Sequence, residues 1–269
     1  MNWSGLLKDQ IRVRAEAWAQ AGALPSYASR GSPPTVLFEP LANHSRHGNF
    51  HDAAWTAILA TPNWRARLDK PHSQSSALPA SKRAAAKELD SSNSSDALLM
   101  NCFCFPGAVG QILEGLGLPR QDDTPEFGFK AQLLLTDGTT DRTELDLKLG
   151  NLIFEAKLTE SDFTSCSKSH LFHYRDFLSV FPADLLPSSG NDFEGYQLIR
   201  NVLAAAHHTA SLFVLADQRR PDLLQEWWAV HAAIKEPGLR VRCGFRTWQQ
   251  VAAASPSALA AFLYTKYGV

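Results

Sequence analysis

Residues 144–158 read ELDLKLGNLIFEAKL, and the fold turns on how they pair. Two runs alternate polar and apolar side chains, the period of a half-buried strand. Between them lies Gly150-Asn151, a dipeptide suited to a two-residue hairpin turn with positive φ. With that turn, Leu149 is expected opposite Leu152, Leu147 opposite Phe154 and Leu145 opposite Ala156. On the other face Lys148 meets Ile153, Asp146 meets Glu155 and Glu144 meets Lys157. Directly opposed side chains have Cβ atoms about 5 Å apart, and like charges there are destabilising. The Asp146–Glu155 pair is therefore a local cost that something else must offset.

The chain has 269 residues, room for one large domain or two small ones. Its 45% hydrophobic and 20% charged content is that of a soluble globular protein. No apolar run approaches the ~20 residues that cross a bilayer. The N-terminal MNWSGLLKDQIRVRAEAW lacks the apolar core of a signal peptide and reads as an amphipathic helix. Four cysteines without a CxxC pair or a regular framework fit reduced thiols and a cytoplasmic location. At a net charge of −1 the molecule as a whole does not attract polyanions, so a nucleic-acid partner would need a local basic patch.

The chain carries no internal repeat. GNFHDAAWTAILATPNWRARL predicts a helix pair broken at Pro62. The Ser- and Ala-rich stretch after Lys70 reads as a linker with one short helix. Ser94, Ser95 or Asp96 caps the next helix, interrupted near Pro106-Gly107. A strand is expected over 126–136, a turn at DGTTDR, then the hairpin, and an irregular stretch to about 190. A helix over 194–208, a strand over 211–217, the helix PDLLQEWWAVHAAIKE, a strand at LRVRCGFRTW and a last helix follow. This order predicts an α/β fold, a mixed sheet flanked by helices over 94–269, with residues 1–93 as a helical extension and linker.

Two carboxylates on one sheet face, with a lysine two residues after the second, make a hard-cation site. Oxygen ligands suit Mg²⁺, or Mn²⁺ in its place, and the Ala156 carbonyl between Glu155 and Lys157 offers a third ligand. A divalent ion would turn the Asp146–Glu155 repulsion into shared ligation. Lys157 faces the same way as Glu155 and is placed to orient or deprotonate an attacking water, or to hold a phosphate.

Asp146, followed nine residues on by Glu155-Ala156-Lys157 across a tight hairpin, resembles the PD-(D/E)xK nuclease superfamily, the restriction-endonuclease-like fold. FEAKLTESDF is similar to its third-strand signature, YQLIRN to the polar Gln-x-x-Arg-Asn face on its following helix, and SSDALLMNCF to the helix before its first strand. The likeness covers roughly residues 94–217. Leu145 stands where the motif often has Pro. The resemblance implies an α-β-β-β-α-β core, Asp146 and Glu155 as metal ligands, Lys157 as the catalytic lysine, Glu126 as an added acidic ligand, and Gln197 and Arg200 lining the site.

Plainer readings stand beside this one. A charged outer face is common on any antiparallel hairpin, and exposed ion pairs contribute only about 0–1 kcal/mol. Glu144 rivals Asp146 as first ligand, but its register sets it beside Lys157; Glu160 is expected past the strand end. His44, His47, His51 and Asp52 have spacing that zinc accepts, yet read as a polar loop entering a helix. His170 and His173 read as a half-buried helix face or a phosphate contact, and His207-His208 as a helix end. Cys102 and Cys104 read as core thiols, Trp227-Trp228 as one core and one rim contact, and Arg219 and Arg220 as a solvated loop.

The expected activity is Mg²⁺-dependent hydrolysis of phosphodiester bonds in nucleic acid, DNA by preference, in a setting such as restriction, defence or repair. Restriction-like enzymes often act as homodimers; no membrane partner is expected. The rivals are an inactive nuclease-like scaffold that binds nucleic acid or a partner protein, and a two-carboxylate glycosidase, in which Lys157 would have no evident role.

Overall fold

The computed structural model describes residues 1–42 and 44–269. Its contacts divide the chain into two compact units, Met1–Arg120 with Thr247–Val269, and Gln121–Arg246. These boundaries differ from the 93/94 division read from composition. The Ser- and Ala-rich stretch belongs to the first unit, tied in by the bridges Pro71↔Lys87 and Leu37↔Ser91, with Leu78, Ala86 and Leu89 buried.

In the first unit, α1 (Trp3–Ala21) begins at Asn2, whose side chain accepts from the Gly5 amide. It buries Leu7, Ile11, Ala15 and Ala19 at four-residue spacing, so the N-terminal amphipathic helix forms as expected. β1 (Ser26–Ala28) and β2 (Val36–Phe38) pair antiparallel. α2 (Asp52–Ala60) and α3 (Pro62–Arg67) part at Thr61-Pro62. α4 (Ser95–Phe103) and α5 (Ala108–Gly115) part at Gly107, whose φ of 76° favours glycine. Of the three candidate caps Ser94 is used, its hydroxyl accepting from the Ala97 amide. The helices Trp248–Ala254 and Ser257–Tyr267 complete this unit, the second packing along α1. Lys266 on that helix is wholly buried. It donates to Asn49 Oδ1 and the Tyr267 hydroxyl and lies over the Phe38 and Tyr267 rings.

The second unit runs β3 (Glu126–Lys130), β4 (Leu133–Leu134), β5 (Thr140–Asp141), β6 (Glu144–Leu149), β7 (Leu152–Ala156), β8 (Ser165–Ser167), α6 (Lys168–Phe172) and α7 (Phe177–Val180). It continues with β9 (Ser188–Ser189), β10 (Asp192–Glu194), α8 (Tyr196–His207), β11 (Ser211–Ala216), α9 (Pro221–Ala232), α10 (Pro237–Arg242) and β12 (Cys243–Thr247), the last residue of which is counted with the first unit. Five strands form a mixed sheet in the order β12-β11-β7-β6-β3. β3 and β7 flank β6 antiparallel, and β11 lies parallel to β7. Parallel neighbours need a crossover, and α8 lies within it. Its Leu198, Ile199, Val202 and Leu203 share a core with Ile153, Leu212 and Val214 of the sheet and with Leu223, Trp227 and Val230 of α9. This is the α/β, mixed-sheet architecture that the order of elements and the nuclease resemblance implied.

Two expected strands are altered. The one over 126–136 breaks after Lys130, where Gln132 takes φ 52°. LRVRCGFRTW starts as helix: the Glu236 carboxylate accepts from the Gly238 and Leu239 amides and Pro237 fills the first turn, so α10 forms before β12 begins at Cys243. Among the described residues no single helix is long and apolar enough to cross a membrane.

Candidate functional site

The hairpin closes where expected. Gly150 takes φ 56° while Asn151 stays outside the positive-φ region, the pattern with glycine at the first central position. The register pairs Leu149 with Leu152, Lys148 with Ile153 and Leu147 with Phe154, and there it stops. In an antiparallel ladder hydrogen-bonded pairs alternate, so the Ala156 amide would next bond the Leu145 carbonyl. It donates instead to Asp146 Oδ2 at 2.7 Å. A side-chain carboxylate replaces a main-chain acceptor, and the expected pairs Asp146–Glu155, Leu145–Ala156 and Glu144–Lys157 fall outside the ladder.

This geometry resolves the charge conflict posed by the sequence. Asp146 is held by a backbone N–H. Glu155, 2% exposed, has Lys157 Nζ 2.9 Å from Oε1 and Asn201 Nδ2 2.7 Å from Oε2. Burial alone would lower the Lys157 pKa. The charges of Glu155, Glu160 and Asp146, with the Glu155 hydrogen bond, outweigh it and raise the pKa above the usual lysine range. These carboxylates favour the ammonium form of Lys157, a charge suited to lie beside an anion. Its Nζ also lies 5.4 Å from the Phe163 ring centroid. Taking two charges out of water costs several kcal/mol per ion before their attraction repays it, so a buried pair of this kind marks a functional candidate.

Asn201, the last residue of the Gln-x-x-Arg-Asn face, was not assigned to the site from sequence, yet it bonds Glu155. It was part of the quoted YQLIRN, one position past Arg200, on the α8 face shared by Gln197 at i−4. It is wholly buried, and its Oδ1 accepts from Arg200 Nε and Nη2 at 3.3 and 3.1 Å. Arg200, also buried, donates to the Glu144 carbonyl and sits 5.7 Å from the Tyr196 ring centroid. Gln197 lies half-buried one turn earlier, its amide bonded to the Phe163 carbonyl. Glu126 is exposed and stands opposite Lys148, displaced along β3 from Asp146. Glu160, past the strand end as expected, caps the Leu158 amide at 2.6 Å and adds its charge to the field at Lys157.

The other candidates sort differently. His47 is buried against Asp90, His51 Nδ1 caps α2 through the Ala53 amide, and Asp52 pairs with Arg46, so the first histidine cluster is structural. Among the described residues no group of three or more His, Cys, Asp and Glu side chains is placed to hold a metal. The expected ligands, Asp146, Glu155 and the Ala156 carbonyl, are all oxygen donors, the ligand type that suits Mg²⁺. His170 Nε2 lies 3.2 Å from the Tyr196 hydroxyl, which meets the Tyr174 hydroxyl at 2.9 Å; Tyr174 in turn donates to Asp141.

Arg219 and Arg220 are not a solvated loop. Arg219 grips Asp217, and the fully buried Arg220 donates to the carbonyls of Leu158 and Ser161, fastening the turn after Lys157. Beyond that turn is a cavity of about 780 Å³ lined by Asp162, Glu194, Asp222 and Glu226 among others. Burial raises the Glu226 pKa to about 7, with Asp162 and Glu194 adding to it and the Phe163 amide and Lys157 opposing.

Residues 12–268 match the model of a family described as restriction endonuclease associating with ARP. Comparisons with curated proteins and with solved structures found no match.

Proposed function

The chain belongs to the family of restriction endonucleases associating with ARP, and from that premise we propose that it is a divalent-cation-dependent nuclease hydrolysing phosphodiester bonds in DNA. The observation that carries this reading is the buried Glu155–Lys157 pair beside Asp146 on neighbouring antiparallel strands. Asp146, Glu155 and the Ala156 carbonyl would hold Mg²⁺ or Mn²⁺. When bound, the ion supplies Lewis acidity toward a phosphoryl oxygen and makes water a better acid. Lys157, charged and held at Glu155, places a cation against the non-bridging oxygens of the phosphate under attack. Asn201 fixes the Glu155 carboxylate, and Arg200 fixes Asn201. Arg220 holds the chain after Lys157, so the ammonium is aimed without reorganisation. Glu126 and Gln197 are proposed at the margin of the site. The family's description names ARP as an associate, and we take an ARP as the protein partner, in the cytoplasm.

One observation favours a second reading, a nuclease-like scaffold that binds without cutting: both Glu155 oxygens already have partners within the protein. Incubation with plasmid, linear duplex and single strands in Mg²⁺, Mn²⁺ or EDTA separates the two. Metal-dependent cutting lost in Glu155→Ala and Lys157→Ala, with a Mg²⁺-induced rise in melting temperature absent from Glu155→Ala, supports the enzyme. Binding without cutting in any metal, and no Mg²⁺ stabilisation, supports the scaffold.

A further inference from the structure

A second cleft, of about 460 Å³, lies at the edge-strand side of the sheet. It is formed by Phe129, Lys130, Gln132, Lys148, His207 and His208, with small and uncharged neighbours. Its lining holds two lysines and two histidines and no carboxylate, the reverse of the acidic cavity beyond Lys157. Lys148 stands opposite Glu126 but leans along β3 to bring Nζ 4.6 Å from the Phe129 ring centroid. His208 Nε2 donates to the Ala131 carbonyl at 2.9 Å, its ring 5.3 Å from that of Phe129 and 4.9 Å from that of His207. The next residue, Gln132, is held at φ 52°, a left-handed conformation costing a non-glycine residue about 1 kcal/mol. Strain of that kind persists where the surroundings impose it, and here they shape the lip of a basic cleft.

The cleft is also in reach of the carboxylates. Lys148 follows Asp146 by two residues on the same face of β6, roughly 7 Å along a strand. His208 follows Asn201 by about two turns of α8, roughly 10 Å. On the scale of a DNA strand, these offsets lie within a few nucleotides.

We propose that this cleft holds the sugar–phosphate backbone of a nucleic-acid strand within a few nucleotides of the reacting bond, with Lys130 and Lys148 as its phosphate contacts. Its position relative to the chemistry rests on the nuclease reading; its affinity for the backbone does not. The competing role for the lysines is purely cross-strand, since Lys130 faces Glu144 and Lys148 faces Glu126 in the ladder.

The test is fluorescence anisotropy of the full chain with a labelled 20-base-pair duplex in EDTA, over a salt series, for wild type, Lys148→Gln and Lys130→Gln/Lys148→Gln. Each lost phosphate contact should flatten the plot of log affinity against log salt by about one, so the double variant loses about two, with a several-fold loss of affinity at fixed salt whatever the duplex sequence. Should the double variant not fold, Lys148→Gln alone carries the test with a loss of about one. An unchanged slope in a folded variant overturns the proposal and leaves the lysines their cross-strand role. The two readings fail separately. Metal-dependent cutting by wild type with an unchanged slope in the variants removes the cleft and keeps the nuclease. A reduced slope without any cutting keeps the cleft and removes the nuclease.

Discussion

Replacing Asn201 by leucine, close in size, would remove a side chain that joins Glu155 to Arg200. Its amide is the donor to Glu155 Oε2 and its carbonyl the acceptor for two Arg200 nitrogens. Both partners are buried, so neither regains water readily. An orphaned buried polar group costs about 1–3 kcal/mol, more when charged. Arg200 keeps the Glu144 carbonyl and Glu155 keeps Lys157, which limits the damage. Leucine also recovers part of the loss through apolar burial. The net expectation is about 2–3 kcal/mol, or roughly 5–10 °C in melting temperature for a chain of this size. Cutting, if Glu155 ligates the ion, should fall about 10–100-fold, as when a group orienting a ligand is removed. The decisive measurement is a double-mutant cycle with Glu155→Gln in urea denaturation. Coupling of about 1 kcal/mol or more is expected from a direct bond. Strict additivity, or an Asn201→Leu variant within about 0.5 kcal/mol of wild type, would refute the chain of support from Arg200 to Glu155.

Arg220→Met frees the carbonyls of Leu158 and Ser161 and should cost about 2–4 kcal/mol, with added protease sensitivity at residues 158–162; limited proteolysis reads this directly. Glu226 has a folded pKa of about 7 against an ordinary 4.5, so the native state binds the extra proton. Its contribution is fully present below pH 4.5 and is lost as pH rises through 7, about 1–2 kcal/mol after allowing for solvent screening. Glu226→Gln should flatten that part of a melting-temperature profile, and a slope unchanged by the substitution would contradict the assignment. Lys266, wholly buried, has its pKa pushed well below the ordinary lysine value by desolvation. The unfolded chain then binds more protons, so wild-type stability should climb as pH rises toward 10.5. Lys266→Met should remove that climb, as thermal melts at pH 7 and 9.5 would reveal.

The hairpin, α8 and β11 were legible because each carries its own period: alternation around Gly150, a 3.6-residue apolar stripe from Leu198 to Ala205, and an apolar run covered on both faces. The family resemblance lay in the same local segments. What stayed hidden depends on choices between competing partners. The ladder ends at Leu147–Phe154 because the Asp146 carboxylate outcompetes a main-chain carbonyl for the Ala156 amide. No alternation pattern encodes that outcome. Asn201 belonged to the polar face that carried the resemblance, but its bond to Glu155 shows only when α8 is laid against β7. Arg219-Arg220 reads as a hydrophilic loop because the carbonyls that bury Arg220 are some sixty residues away. The early helix at Pro237 was readable in principle, from Glu236-Pro237, but its short apolar run resembled a strand.

The first unit is split in sequence, and that has a consequence for how the chain is made. α1 packs along the helix Ser257–Tyr267, and Asn49 is bonded by Lys266. During translation the amino-terminal segments leave the ribosome long before these partners exist. Gln121–Arg246, continuous in sequence, emerges with its whole sheet and can fold on the way. α1, whose Leu7 and Ile11 end fully covered, lacks one of its packing partners until residues 257–267 have been made. Apolar surface left open in that interval is what makes incomplete chains prone to aggregate.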